Sequence, residues 1–214
     1  KNTGKVFYIE PGENRWVFGN PNKDILYVKA DHYFKFDNHT LWHSAGVVVT
    51  VFSLRTDDGF GVGEFPDIKK LGDWANETKL SVIQILPIND TTANYTWTDS
   101  YPYAAISVYA LHPQYLSIEK LEYALPKDLV EDYQAKKAEL NALSLIDYEQ
   151  MISGKWKFVK AVFEENKDKI YKDRNFKKFI KENEEWVLPY AAFCVQRDKY
   201  KTPNFNDWKT HKKY

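Results

Sequence analysis

Two nearly continuous apolar segments interrupt an otherwise mixed pattern of hydrophobic and polar positions. The first begins at Ala45 and spells AGVVVTVFSL, and the second begins at Ser81 and spells SVIQILPI. Such runs are typical of parallel strands that are buried on both faces. Between them, apolar residues recur every three or four positions from Pro66 to Thr78, and proline is favoured in the first turn of a helix. Residues 46–90 therefore predict a strand, a helix and a second, parallel strand.

The sequences on either side of this α/β segment have different hydrophobic patterns. Upstream, residues 4–10 and 24–30 are rich in β-branched and aromatic residues and are separated by turn-forming sequences, which predicts short strands. Downstream, residues 148–170 and 175–200 place apolar side chains on one helical face. Lysines and glutamates occupy the other face, and we interpret these lysines as solvent-exposed. The pattern predicts an α/β chain with a short β segment at its N-terminus and an all-α block over residues 119–214.

Charge and cysteine content narrow the classes of partner. The chain has 30 basic and 30 acidic residues, and outside its lysine-rich end no stripe of one sign occurs, so neither a nucleic-acid nor a membrane partner is indicated. A neutral ligand is expected. The single cysteine, Cys194, fits a reducing, cytoplasmic compartment. No His or Cys stands at ligand spacing from His112, so the sequence predicts no metal site.

Two loops follow the predicted parallel strands, and ligands of parallel sheets bind at that end of the strands. The first loop, RTDDGFGVGEF, begins at Arg55 and contains three glycines. Their spacing differs from that of phosphate-binding loops, and the carboxylate of Glu64 would repel a phosphate. We therefore interpret the glycines as requirements of a tight loop.

The second loop, from Pro87 to Ser107, mixes hydrogen-bonding groups with aromatic rings. Flat apolar ring faces match the C–H faces of a pyranose, but aromatic residues also pack inside loops, so residue chemistry alone leaves both interpretations open. Pro102 fixes the backbone before Tyr103, which favours a defined position for that ring. The candidate substrate-binding residues are Trp97, Asp99, Ser100, Tyr101 and Tyr103.

Five ordered motifs in this region resemble one enzyme family. They are FSLR, FGVGEF, QILPIND, DSYPY and ALHPQYL, all within residues 45–118. The set is similar to the opening of the catalytic barrel in 4-alpha-glucanotransferases of glycoside hydrolase family 77, the amylomaltases, and DSYPY resembles the disproportionating enzyme 2 type. The resemblance implies that residues 45–118 form the first β/α units of an incomplete (β/α)8 TIM barrel. It also implies that residues 119–214 form a helical subdomain.

The N-terminus resembles a different module. The segment VFYIEPGENRWVF is similar to the last strands of a family 20 starch-binding module. The matching turn residues are Glu10, Asn14 and Arg15. The resemblance assigns residues 1–20 to a remnant of that module and residues 21–44 to linker strands. Ile9 stands where the module has a sugar-stacking tryptophan, and this departure argues against starch binding by the remnant.

The resemblance to family 77 also implies a reaction. These enzymes transfer α-1,4-glucosyl units between maltodextrins or glycogen-like glucans by a retaining double displacement that needs no cofactor. The family's donor-stacking tyrosine corresponds to Tyr103, with Asp99 and Ser100 lining the same cleft, while Trp97 and Tyr101 are candidates for stacking or for packing beneath the loop. The family's catalytic carboxylates lie on later strands, and no segment after Tyr103 resembles them. The chain is therefore expected to be an N-terminal portion that contains no catalytic residue and is inactive alone.

Two other functions stay open at this stage. A noncatalytic glucan-binding chain is favoured if the protein contains only these two barrel strands, because two strands cannot close an eight-stranded barrel. A hydrolase of the α-amylase group would release sugar to water, although the DSYPY motif argues against it. The exposed strands of an open barrel are also expected to favour self-association.

Overall fold

The computed structural model describes residues 6–9, 16–19, 25–28 and 44–210, with side-chain burial from residue 44 onward. The chain divides into two compact units, residues 1–43 and residues 44–214. Among the described residues, no helix combines the length and the apolar character that a membrane crossing requires.

The first unit contains a three-stranded antiparallel sheet. Its strands are β1 (Val6–Ile9), β2 (Trp16–Gly19) and β3 (Ile25–Val28), hydrogen-bonded in that order. Ile9 lies opposite Trp16 at one end of the β1–β2 ladder, and Gly19 lies opposite Ile25 at one end of the β2–β3 ladder. The short strands predicted here are confirmed. The turn residues that resemble the starch-binding module, namely Glu10, Asn14 and Arg15, lie outside the described residues.

The second unit begins with the predicted strand, helix and parallel strand. These elements are β4 (Gly46–Val49), α1 (Phe65–Glu77) and β5 (Val82–Ile85), and Gly46 pairs with Val82 in the parallel ladder. Helix α1 begins where it does because the Glu64 N–H donates to the Asp67 carboxylate at 2.9 Å, which is half of a reciprocal capping box.

The expectation that β4 is buried on both faces is wrong for this chain. Val48 is 65% exposed, and every second residue of the strand faces solvent. Among the described strands β4 pairs only with β5, and within the described residues the side chain of Val48 stays largely uncovered.

Four further α-helices follow in the second unit. They are α2 (Val130–Ala142), α3 (Tyr148–Lys172), α4 (Arg174–Glu182) and α5 (Glu184–Tyr200). The pattern over residues 175–200 predicts continuous helix, but the structure separates α4 from α5 at Asn183. Aspartates open two of the helices, since the side chain of Asp147 accepts the N–H of Gln150 and that of Asp173 accepts the N–H of Phe176.

One hydrophobic core joins the helices to the loops of the α/β segment. Phe60 and Val62 come from the glycine-rich loop and pack with residues of α2 and α3. The buried members of this cluster are Phe60, Val62, Ile118, Tyr133, Leu140, Tyr148, Met151, Ile152 and Phe158. The Phe60 ring stacks on Tyr133, with centroids 5.2 Å apart. The helical block therefore holds the loops at the carboxyl ends of β4 and β5.

The interpretation of the helical lysines as solvent-exposed is wrong at two of the described positions, Lys137 and Lys155. Lys137 of α2 is buried, and its ammonium group donates to Glu119. Lys155 is 1% exposed, although it lies in the charged pattern of α3. Its ammonium group is enclosed by oxygens from the loops, where Glu64 supplies the opposite charge. At the level of fold class, the α/β segment with a helical block is confirmed, whereas membership of β4 and β5 in an eight-stranded barrel stays a prediction.

Candidate functional site

The aromatic loop that follows β5 forms a closed arch, which we define as residues 90–106. The Asp90 carbonyl accepts the N–H of Ile106 at 2.8 Å, and the Asp90 N–H donates to the Ala110 carbonyl at 2.8 Å. Both ends of the arch are therefore held at Asp90. This closure lets the residues between them project from a fixed base near the end of a parallel strand.

Three aromatic rings of the arch face solvent. The side chains of Trp97, Tyr101 and Tyr103 are 69%, 60% and 61% exposed. The Tyr101 and Tyr103 ring centroids lie 5.6 Å apart, and the two rings are tilted at 58° to each other. This exposure disfavours the alternative in which these rings pack inside the loop, and it leaves their faces available to a ligand.

Asp99 organises the arch from within. Its side chain is buried, and Oδ2 accepts the N–H groups of Ala93, Asn94 and Tyr95 at 3.0, 2.9 and 2.7 Å. The Thr91 hydroxyl donates to the Asp99 carbonyl. A carboxylate that accepts several backbone N–H groups makes strong, charge-assisted hydrogen bonds. Asp99 therefore fixes the backbone before the exposed rings, while its predicted contact with a sugar hydroxyl stays a prediction.

Ser100 and Trp97 belong to a single 3-10 turn, Trp97–Ser100. The Ser100 hydroxyl donates to the Trp97 carbonyl at 2.6 Å, and its remaining lone pairs are free to accept from a ligand. Helix α3 supports the turn, because the Trp97 N–H donates to Glu149 Oε1 at 2.8 Å. Glu149 lies 52 residues from Trp97, and no sequence pattern indicates this contact.

A second carboxylate, Asp90, anchors the arch from below. Asp90 is buried, and Oδ1 accepts the N–H and the hydroxyl of Thr92 at 2.9 and 2.6 Å. Its Oδ2 accepts the hydroxyl of Tyr190 from α5 at 2.5 Å. Burial, together with the neighbouring Asp90, raises the pKa of Tyr190 well above its usual value, so this hydroxyl stays protonated and remains a donor.

The glycine-rich loop shapes the neighbouring wall and has the tight geometry predicted for it. Gly61 has φ of +74°, and a Cβ there would lie 2.6 Å from Cβ of Leu140. Asn141 of α2 holds the loop, since its Oδ1 accepts the Gly61 N–H and its Nδ2 donates to the Gly59 carbonyl, both at 2.9 Å. Only glycine fits this backbone without strain.

His112 is a buried structural residue of the same region. Its Nδ1 accepts the N–H of Gln114 at 3.1 Å, and its Nε2 lies 3.2 Å from the Tyr148 hydroxyl. Burial lowers the pKa of His112 from 6.5 to about 4, so the ring is neutral at pH 7. In the described part of the chain, no group of three His, Cys, Asp or Glu side chains has an arrangement that could hold a metal ion.

The depressed pKa predicts an acid-sensitive stability. His112 binds a proton more readily in the unfolded chain, so between pH 6.5 and 4 the free energy of unfolding falls as the pH falls. Between pH 7 and pH 5 this contribution amounts to about 2 kcal/mol. Urea unfolding of the protein and of His112→Gln, which cannot titrate, measures it. We expect a flatter pH dependence in the variant, and parallel curves would contradict the assignment.

Comparison with known proteins places this site in a family. A family model described as 4-alpha-glucanotransferase, glycoside hydrolase family 77, matches residues 49–214. The 4-alpha-glucanotransferase DPE2 of Oryza sativa subsp. japonica is 40% identical over 207 residues, which cover 93% of this chain and 22% of that protein. The 4-alpha-glucanotransferase of Chlamydia muridarum is 34% identical over 170 residues, covering 77% of this chain and 31% of the relative.

A third similar protein, the 4-alpha-glucanotransferase of Chlamydia caviae, is 32% identical over 164 residues, covering 76% of this chain and 30% of the relative. The chain thus spans less than a third of the length of these relatives. The matched region includes the arch, the glycine-rich loop and all five described helices. The resemblance seen in the sequence motifs is therefore confirmed, and the chain belongs to the 4-alpha-glucanotransferases of glycoside hydrolase family 77.

Proposed function

We propose that the protein is a 4-alpha-glucanotransferase that moves α-1,4-glucosyl units between maltodextrins or glycogen-like glucans. The observation that supports this most directly is the arch, a rigidly closed loop with three exposed rings, within the region that matches the family. Glucans are neutral, and the chain's equal numbers of acidic and basic residues agree with such a ligand. Its single cysteine agrees with a cytoplasmic enzyme.

Within the arch, Tyr103 stacks on the glucose at the donor subsite. Its ring has a free face, and the tilted Tyr101 ring beside it limits the directions from which a sugar can approach. Pro102 restricts the backbone between the two tyrosines, so little conformational freedom is lost when a glucan binds. Ser100 contributes a hydroxyl contact beside the rings, Asp99 holds the backbone before them, and Trp97 extends the stacking surface.

The chain supplies part of the donor subsite rather than the reacting carboxylates. A retaining double displacement needs one carboxylate as nucleophile and a second as acid and base. The four buried carboxylates of the described residues have other partners: Glu64 pairs with Lys155, Asp67 with Lys70 and Thr56, Asp90 with Thr92 and Tyr190, and Asp99 with backbone N–H groups. The nucleophile and the acid/base residue are therefore assigned to parts of the enzyme other than residues 44–210.

The exposed outer face of β4 agrees with a barrel that further strands complete. In a closed eight-stranded barrel, each strand has two paired neighbours and side chains pack on both faces. β4 and β5 pair only with each other among the described strands, and Val48 projects into solvent. We infer that they are the first strands of a TIM barrel. Self-association through the same face stays a prediction.

Product analysis with maltotriose tests the proposed function. The full-length enzyme is expected to release glucose and to build a ladder of longer oligosaccharides, because a second sugar replaces water as the acceptor. Glucose and maltose without a ladder would identify a hydrolase instead, and binding without turnover would identify a noncatalytic glucan-binding protein. The 214-residue chain is the control: a ladder from it alone would contradict the assignment of the carboxylates.

A further inference from the structure

We propose that Arg197 of α5 is a positioning residue that sets the place of the Tyr103 ring by holding the arch from beneath. The inference rests on the proposed function, since it assigns Tyr103 to the donor subsite. Arg197 lies about a hundred residues from the arch in sequence, and no sequence pattern connects the two.

The guanidinium of Arg197 is buried and makes three directed contacts. Nη1 donates to the Thr92 carbonyl at 2.6 Å, Nη2 donates to the Tyr95 hydroxyl at 2.7 Å, and Nε donates to Asp198 Oδ1 at 2.9 Å. The guanidinium carbon also lies 5.0 Å from the centre of the Tyr95 ring, which adds a cation–π contact. One side chain therefore binds the arch at two residues, Thr92 and Tyr95.

Asp198 completes this clamp. Its Oδ1 also accepts the Tyr95 hydroxyl at 3.0 Å, so Arg197 and Asp198 bind the two sides of one hydroxyl group. Charge is balanced locally, because the aspartate lies beside the buried guanidinium. Arg197 can therefore stay ionised while it donates to the neutral carbonyl of Thr92.

The contacts of Arg197 continue through the arch to the exposed rings. Tyr95 has φ of +60°, a left-handed conformation that costs a non-glycine residue energy and persists only where neighbours enforce it. The backbone N–H groups of residues 93–95 all point to the Asp99 carboxylate. Asp99 belongs to the 3-10 turn that ends immediately before the Tyr101–Tyr103 segment. A change at Arg197 is thereby transmitted to the place where the Tyr103 ring projects.

Two features make arginine specific for this position. Its planar fork reaches the carbonyl of Thr92 and the hydroxyl of Tyr95 at once, whereas a lysine ammonium at the end of a single stem lacks the fixed fork. The arch also has a second attachment to α5, from Tyr190 to Asp90, which remains when Arg197 is changed. An Arg197→Lys variant should therefore fold with the arch attached but less accurately placed.

The experiment is a double-mutant cycle on maltotriose transfer by the full-length enzyme. Arg197→Lys alone is expected to lower kcat/KM about tenfold, because displacement of a binding group by about 1 Å is costly to catalysis. In a Tyr103→Ala background the same change should have almost no further effect. Arg174→Lys on the exposed start of α4 is the matched control. It should leave kcat/KM unchanged both in the wild-type and in the Tyr103→Ala background.

Amide hydrogen exchange at residues 93–95 provides a second measurement that does not depend on turnover. Arg197→Lys should accelerate exchange there while the core helix α3 stays protected. If exchange at residues 93–95 is unchanged, or if Arg197→Lys costs tenfold in the Tyr103→Ala background as well, Arg197 does not position Tyr103. If Tyr103→Ala itself transfers normally, the donor-site assignment is wrong and the positioning role is wrong with it.

Discussion

Replacement of Tyr103 by alanine is expected to lower kcat/KM for maltotriose transfer about 100-fold, which corresponds to about 2.7 kcal/mol of lost transition-state stabilisation. The ring is 61% exposed and its neighbour in the arch is the equally exposed Tyr101, so its removal takes away a stacking surface and little packing. The free energy of unfolding should therefore change by no more than about 0.5 kcal/mol. Steady-state kinetics measures kcat/KM, and calorimetry measures the stability.

A second tyrosine provides a matched control. Tyr109 is 62% exposed and lies outside the arch, where its ring stacks on Trp186 with centroids 5.4 Å apart. Tyr109→Ala should leave transfer unchanged, and Tyr103→Phe should retain most of it because the stacking face is preserved. Equal losses from Tyr103→Ala and Tyr109→Ala would indicate a general effect of losing surface aromatics. Normal transfer by Tyr103→Ala would remove the donor site from the arch.

Local signals in the sequence were sufficient for the elements that place the arch. A proline followed by apolar residues at helical spacing predicted a helix from Pro66, and the helix begins one residue earlier, at Phe65. The two apolar runs predicted β4 and β5, although each strand is only four residues long. The prediction of a ligand loop depended on residue chemistry after β5; three of its rings are exposed, and ligand binding itself stays a prediction. All these features depend on neighbours in the sequence.

The supports of the arch could not be predicted in this way. Arg197 and Tyr190 contact loop residues 100 or more positions away, and Asn141 contacts Gly61 across 80 positions. Helical periodicity indicates which face of α4 is apolar, but α5 has no such pattern, and no pattern shows which distant carbonyl a guanidinium will meet. Lys155 was misinterpreted for the same reason, since its spacing in α3 resembles that of exposed lysines. Such contacts form only when the helices pack on the loops.

That buried lysine leads to the largest expected change in stability. Nζ of Lys155 donates to Glu64 Oε1 at 2.6 Å and to the Leu116 carbonyl at 2.8 Å, and it also contacts the Gln114 carbonyl. Burial lowers the pKa of Lys155, while the adjacent Glu64 carboxylate acts in the opposite direction and favours the charged form. The pair joins α3 to the residue that caps α1, and so connects the helical block with the glycine-rich loop.

Lys155→Met should lower the free energy of unfolding by about 3–5 kcal/mol, because it leaves a buried carboxylate without its counter-charge. Adding Glu64→Gln should restore part of this loss, since the remaining side chain is neutral, but two backbone carbonyls still lack their donor. Lys157→Met, two positions along α3, is the control: its partner Asp132 is half exposed, and the loss should stay below about 1 kcal/mol. Urea unfolding of the four proteins decides the matter. Equal effects of Lys155→Met and Lys157→Met would mean that solvent reaches the Lys155–Glu64 pair and that it does not join the helices to the loop.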